Sequence, residues 1–246
     1  MPEAEDSAPA VPSSRDPLLS RHGPASAERQ LGADSHRRLL HEGSTPVDAT
    51  VVVGDLRLSG LILREAIQPS LFARFMIGFT EAIAGLTREN DGWFDRFTGD
   101  GFISYWIDSA STEPAVERLT GFCQAVMPAA DSLISKLKQN SRNFPTGVGL
   151  SLGADAGRCE LVRVEGSLTL IGSPVVGATR MADGAAANQT ILNVYLGEAM
   201  RRESDRLTAN GIQLERTSIR TKEYPAGQEA FELRFPGYGR TIRAPG

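Results

Sequence analysis

Val51-Val52-Val53-Gly54-Asp55-Leu56-Arg57-Leu58-Ser59-Gly60 is the stretch on which the fold of this chain turns. Three β-branched apolar residues in a row have the pattern of a strand buried on both faces. The run stops at Gly54-Asp55, and Leu56 to Gly60 read as a tight exit. Downstream, Trp93 to Thr98 and Phe102 to Trp106 read as two strands around the turn Gly99-Asp100-Gly101. Between these regions Pro69-Ser70 opens a segment in which Phe72, Phe75, Met76, Phe79, Ile83 and Leu86 share one helical face. Asn90-Asp91-Gly92 ends it. A second long amphipathic helix follows, with Glu113-Pro114 near its start and Pro128 as a candidate kink. Its inward residues are Val116, Leu119, Cys123, Val126, Met127, Leu133 and Leu137.

Gly147 to Leu152 reads as the next strand and Cys159 to Val164 as another. A helix from Val176 to Ala185 comes after Gly172-Ser173-Pro174. Ile191 to Val194, a helix through Met200, Ile212 to Glu215 and Phe231 to Phe235 complete the pattern. The order is βαββαβ followed by further αβ elements, an α+β chain without internal repeats.

Composition sets the outer bounds. At 246 residues the chain can bury a full core. A net charge of −4 gives no electrostatic reason to expect nucleic acid as a partner. Met1 to Asp6 is acidic rather than apolar, so no signal peptide is read there, and no run approaches the roughly 20 apolar residues of a membrane span. Cys123 and Cys159 fit no metal or redox spacing and read as packed thiols, which makes a reducing, cytoplasmic setting the default. Residues 1–45, rich in Ala, Pro, Ser and charge, read as a flexible or loosely packed arm ahead of a domain at 46–240. A short helix from Ala27 to His41 packed on the domain is the alternative, and ordered structure is expected from Val47 to Ala49. All three histidines, His22, His36 and His41, precede residue 45. The body of the chain therefore has no histidine base, ligand or triad, and its chemistry falls to carboxylates, basic side chains, hydroxyls and oxygen-bound metal.

Asp55 and Asp100 each stand where a strand ends against glycine. In a βαββ unit the first strand and the central hairpin are neighbours, so the two carboxylates meet at one sheet edge. An all-oxygen pair of this kind selects hard cations such as Mg²⁺ or Mn²⁺, which also bind triphosphate oxygens. Glycine permits close backbone approach to phosphates, and Ser59-Gly60 can offer N–H groups to one. The plainer alternative makes both aspartates simple turn residues.

Four segments carry a family resemblance. Val52 to Gly60 resembles the first metal-binding motif of class III nucleotide cyclases, the adenylate and guanylate cyclase family. Phe97-Thr98-Gly99-Asp100-Gly101-Phe102 resembles the second. Gly147 to Gly153 is similar to the family's glycine-bounded central strand, and Ile171 to Arg180 to its helix of transition-state residues. The resemblance spans about residues 47–235. It implies a ferredoxin-like palm acting as a head-to-tail homodimer with sites at the interface. Asp55, Asp100 and the backbone carbonyl of Leu56 would hold two metal ions, Mn²⁺ or Mg²⁺, per site. The partner would supply the base pocket and Arg180, which would stabilise phosphate charge, and Ser59, Gly60 and Lys222 would bind the triphosphate. A ribose 3′-hydroxyl would attack the α-phosphorus and pyrophosphate would leave.

Three positions depart from the adenylate cyclase pattern. Arg96 stands where those enzymes have lysine, Thr169 where they usually have aspartate and only sometimes threonine, and Val176 where they have asparagine. Arg96 forks donors toward carbonyl oxygens, so with the Thr169 hydroxyl it suits uracil better than adenine. A structural Arg96 paired with Asp95 or Asp91 is the plain alternative. Read as a small standalone domain, the chain looks like the pyrimidine cyclases of bacterial antiphage (Pycsar) systems. These convert UTP or CTP into cyclic UMP or cyclic CMP, which activates a downstream effector; UTP is the substrate expected here. The rivals are an adenylate cyclase with an atypical pocket and a pseudocyclase serving as a regulatory binding module. A diguanylate cyclase matches only Arg96 to Phe102 and lacks that family's residues after Asp55.

Overall fold

The computed structural model describes residues 16–65, 68–108, 116–141 and 143–238. Among the described residues the strands form one mixed sheet of eight. It contains β1 (Ser44–Arg57), β2 (Trp93–Phe97), β3 (Gly101–Asp108), β4 (Gly149–Val164), β5 (Ser167–Ile171), β6 (Thr190–Leu192), β7 (Gln213–Ile219) and β8 (Gln228–Arg234). The order is β2-β3-β1-β4-β6-β8-β7, with β5 folded back on the far end of β4. β1 lies antiparallel between β3 and β4, whereas β4 and β6 are parallel. The first four strands thus have the order of a ferredoxin-like palm, and the later αβ elements extend the sheet beyond β4.

Alternation along β1 assigns its two faces. Val52 and Leu56 join the core beneath α5 (Pro69–Glu89) and α6 (Val116–Gln139). Val51 and Val53 join a second core with Ala178 and Ala182 of α7 (Ser173–Gly184). Both long helices bury the expected apolar stripes, including Phe75, Phe79 and Ile83 of α5 and Leu119, Cys123 and Val126 of α6. Glu113-Pro114 falls outside the described residues. Cys123 and Cys159 are free, buried thiols.

Three expectations need correction. The supposed arm is built into the fold from residue 16 onward. Helices α1 (Pro17–His22), α2 (Ala27–Leu31) and α3 (Ala33–Glu42) bury Leu19, Ala27, Leu31 and Leu39 in the second core. This is closer to the alternative of a packed helix, and β1 begins at Ser44 rather than near Val47. Residues 1–15 lie outside the description. Second, the two strands expected at Gly147–Leu152 and Cys159–Val164 are one 16-residue strand. Gly153 and Gly157 are small because α7 lies directly on that face of β4, not because the strand breaks. A Cβ on Gly153 would sit 2.1 Å from both the Ala178 carbonyl oxygen and the Ala182 nitrogen. Third, residues after Leu58 enter the short helix α4 (Ser59–Glu65) instead of a bare turn; Leu58, at φ 66, makes the corner.

Candidate active site

Asp55 is the last-but-two residue of β1 and pairs across the ladder with Gly101. Asp100 sits one residue earlier, in the two-residue loop Gly99-Asp100 of the β2–β3 hairpin. Gly99, at φ +100, takes the position where such loops demand glycine. The hairpin end is tied to β1 by the Leu56 amide donating to the Asp100 carbonyl, 3.1 Å, and closed by Thr98 N–H to Gly101 O, 2.9 Å. The two carboxylates therefore meet at one edge, as the βαββ order predicts.

Their surroundings are charged and partly dry. Burial pushes the Asp55 carboxyl above its ordinary range; Arg57 opposes this, while Asp100 and Asp183 reinforce it. Arg57 Nη1 lies 3.2 Å from Asp55 Oδ2, and its Nη2 donates to the Ala182 carbonyl of α7. The Ser59 hydroxyl donates to Asp100 Oδ2 at 2.5 Å. Among the described residues no group of three or more carboxylate, histidine or cysteine donors converges. The side-chain donors here are the two aspartates. That set suits a hard, partly hydrated divalent cation, which would offset the burial and the neighbouring carboxylates that raise Asp55.

Gly54 and Gly101 each serve close strand packing. A Cβ on Gly54 would lie 2.2 Å from the Phe102 ring, and one on Gly101 would lie 2.2 Å from the Gly54 carbonyl oxygen. Both glycines let β1 and β3 close over Phe102, which is fully buried. They hold the two aspartates in place through packing. Gly60 has open space around it.

Beside Asp55, Arg57, Asp183, Arg220, Thr221, Lys222 and Pro225 line a cleft of about 530 Å³. Its three cationic side chains suit a polyanion. Lys222 was expected from the sequence; Arg57, Arg220 and Asp183 were not. Arg57 was within reach of such reasoning, since residue i+2 on a strand shares the face of Asp55. Arg180, on α7, forms an ion pair with Glu223, and its Nε is buried without a partner among the described residues. Val176, one helical turn earlier, is half-exposed.

Arg96 and Thr169 also come together. Arg96 Nη1 donates to the Thr169 hydroxyl and to Asp95, 3.1 Å to Oδ2 and 3.3 Å to Oδ1. The expected meeting of Arg96 with Thr169 and the plainer pairing of Arg96 with Asp95 are therefore present at once. The strand beneath them is braced from the N-terminal helices. Gln30 Nε2 donates to the Asp91 carbonyl at 2.9 Å, Trp93 Nε1 donates to Gln30 Oε1 at 2.7 Å, and His22 Nδ1 lies 3.3 Å from the Phe94 carbonyl. A histidine thus does approach this region, from a segment whose composition gave no sign of it.

Solved structures share the fold. The structure of the adenylyl cyclase CyaB from P. aeruginosa superposes with a TM-score of 0.63 at 15% identity, over 78% of this chain and 96% of that one. The guanylyl cyclase Cya2 gives 0.60 at 13% identity, over 82% and 98%. This chain has the fold of a nucleotide cyclase catalytic domain. The guanylate cyclase domain of RhGC from Catenaria anguillulae, in complex with GTP, gives 0.57 at 11% identity, over 76% and 96%. No family model matches the sequence, and no curated protein matches it. The cyclase-fold neighbours include enzymes named for adenine and for guanine nucleotides, so the shared shape does not specify a base. No helix among the described residues is long and apolar enough to cross a membrane.

Proposed function

We propose that this chain is a metal-dependent nucleotide cyclase that converts a nucleoside triphosphate, UTP by preference, into its 3′,5′-cyclic monophosphate and pyrophosphate. The observation that carries the reading is the meeting of Asp55 and Asp100 at the β1 and β2–β3 edge of a cyclase-shaped palm. Bound there, two Mn²⁺ or Mg²⁺ ions would supply an activated 3′-hydroxyl and charge neutralisation at the leaving pyrophosphate. Asp55 and Asp100 hold those ions, joined by the Leu56 carbonyl, and the Ser59 hydroxyl orients Asp100. Ser59 and Gly60 lie at the triphosphate end, and Lys222 with its basic cleft holds phosphate oxygens. Arg180 from the opposite protomer of a head-to-tail dimer stabilises charge on the phosphates as the new 3′-O–P bond forms and the bond to pyrophosphate breaks. The 3′-hydroxyl proton leaves to solvent.

Base choice falls to Arg96 and Thr169. An arginine presents only donors, and uracil offers two carbonyl acceptors. Adenine, with an exocyclic amine, meets no acceptor on Arg96. The pair therefore favours UTP, and cyclic UMP acting on a separate effector in antiphage defence is the biological role that fits such a product.

Purified protein with Mn²⁺ and each of ATP, GTP, CTP and UTP, with products separated by chromatography, tests the reading. A cyclic product, most abundant from UTP, is expected. No cyclic product from any of the four overturns the enzyme; product from ATP alone overturns the pyrimidine preference. Val176, in place of a residue able to bond the ribose, favours one rival, a pseudocyclase that binds nucleotide without turnover, and the same panel distinguishes it.

A further inference from the structure

The β2 strand is irregular at one point. Phe94 pairs with Ser104 and Arg96 with Ile103, so Asp95 is the extra residue of a β-bulge. On a regular strand neighbours point to opposite faces, and Asp95 and Arg96 would never touch. A bulge re-aims the side chains around it, a device common beside functional sites. Here it brings both onto one side, where Asp95 Oδ2 accepts from three donors. These are Arg96 Nη1 at 3.1 Å, the Thr169 hydroxyl at 3.2 Å and the Leu170 amide at 3.3 Å.

The contrast in exposure gives the arrangement its direction. The Asp95 side chain is 1% exposed and that of Arg96 is 48% exposed. One end of the ion pair is fixed inside the protein; the other faces outward. Among the described residues only Nη1 of the Arg96 guanidinium is engaged, which leaves Nε and Nη2 to meet a ligand. A long arginine on its own samples many rotamers, and ordering it on binding costs affinity. Asp95 has already ordered it. The same carboxylate holds the Thr169 hydroxyl and, through Leu170, the backbone of β5. Strands β2 and β5 are not adjacent in the sheet order, and Asp95 ties them together.

We infer that Asp95 is the positioning residue for base selection, locking Arg96 against Thr169 so that the remaining guanidinium donors present a fixed face to a base with carbonyl acceptors. The assignment rests on the cyclase reading for the identity of the ligand, but its geometry is independent of turnover.

Asp95→Asn is the informative change. Its amide oxygen at the Oδ2 position retains the bonds to Thr169 and Leu170, while the charge that holds Arg96 is lost. Full-length wild type, Asp95→Asn, Arg96→Ala and the double variant would be titrated with 3′-deoxy-UTP and 3′-deoxy-ATP in Mn²⁺. Neither ligand can cyclise. The expected result is that Asp95→Asn weakens 3′-deoxy-UTP about tenfold, changes 3′-deoxy-ATP less than about twofold, and has no further effect in the Arg96→Ala background. Asp95→Ser removes the charge in a smaller side chain and gives the same reading should Asp95→Asn fail to fold. An unchanged ratio of the two affinities, or an equal loss with and without Arg96, overturns the inference. Selective binding by a wild type that makes no cyclic product, abolished in Asp95→Asn, upholds Asp95 and overturns the cyclase. Turnover with a ratio indifferent to Asp95 does the reverse, and a wild type that binds neither ligand overturns both.

Discussion

Replacing Gly153 with alanine adds one methyl group at the place where α7 rests on β4. Gly153 pairs with Val53 of β1 and with Ile191 of β6, so it lies at the centre of the sheet. The new Cβ would stand 2.1 Å from the Ala178 oxygen and the Ala182 nitrogen and 2.7 Å from the Met181 carbonyl carbon. All three are backbone atoms, so no side-chain rotation relieves the clash. Ordinary contact requires the helix to retreat by more than about 1 Å. Overpacking of this kind costs about 1–3 kcal/mol, which lowers the melting temperature of a domain this size by about 3–10 °C. The movement also carries Arg180 and the Ala182 carbonyl that accepts from Arg57. A misplacement near 1 Å at reacting groups costs on the order of a hundredfold in rate. Thermal unfolding and the cyclisation rate measured on one preparation check both effects. Gly85→Ala in α5 is the control, because nothing lies within 4 Å of its added Cβ. Alanine in a helix interior gains about 0.5–1 kcal/mol, so that variant melts higher and keeps its rate. A Gly153→Ala protein that melts within about 1 °C of wild type and turns over at the same rate would refute the reasoning.

Two further outcomes concern the site and one the core under α7. Asp55→Ala and Asp100→Ala each abolish cyclic product while leaving the chain folded by circular dichroism; activity surviving in either means that the metals sit elsewhere. Arg96→Ala evens out the preference among the four triphosphates more than it weakens their binding, and a preference unchanged from wild type counts against a base-reading arginine. Asp155, beneath α7, has its carboxyl pushed up to about 6, chiefly by burial. The folded state then holds that proton more tightly than the unfolded chain, whose aspartates titrate near 4. Its contribution to stability is present below about pH 4 and declines as pH rises to about 6. Urea midpoints across that window should fall less steeply in Asp155→Asn, and an identical slope contradicts the assignment.

The palm was legible because its signals are local. Val51 to Val53 buries both faces, Gly99-Asp100 can close only a tight hairpin, and the stripe from Phe72 to Leu86 has a single helical period. What stayed hidden depended on distant partners. The helices from Pro17 to Glu42 each bury only one or two apolar side chains among polar ones, so composition made them look unstructured. Gly153 and Gly157 read as a break until α7 is laid across them. Alternation along β2 separates Asp95 from Arg96, and only the bulge against β3 joins them. Arg57, Asp183 and Arg220 come from β1, α7 and the connection after β7, whose proximity no short motif encodes. The paired aspartates and the Arg96–Thr169 meeting were reached because motif order stood in for the tertiary contacts.

The central claim is that one site is built from two protomers: Asp55 and Asp100 from one, Arg180 from the other. Mixing Asp55→Ala protein with Arg180→Ala protein tests it directly. Each variant alone has both of its sites broken, but a mixed dimer has one site with every residue intact. With random exchange of subunits, cyclic nucleotide production returns to about one quarter of the wild-type rate, because about half the dimers are mixed and each has one working site. Substantial activity in either variant alone, or no recovery once mixed dimers are shown to form, contradicts the shared site.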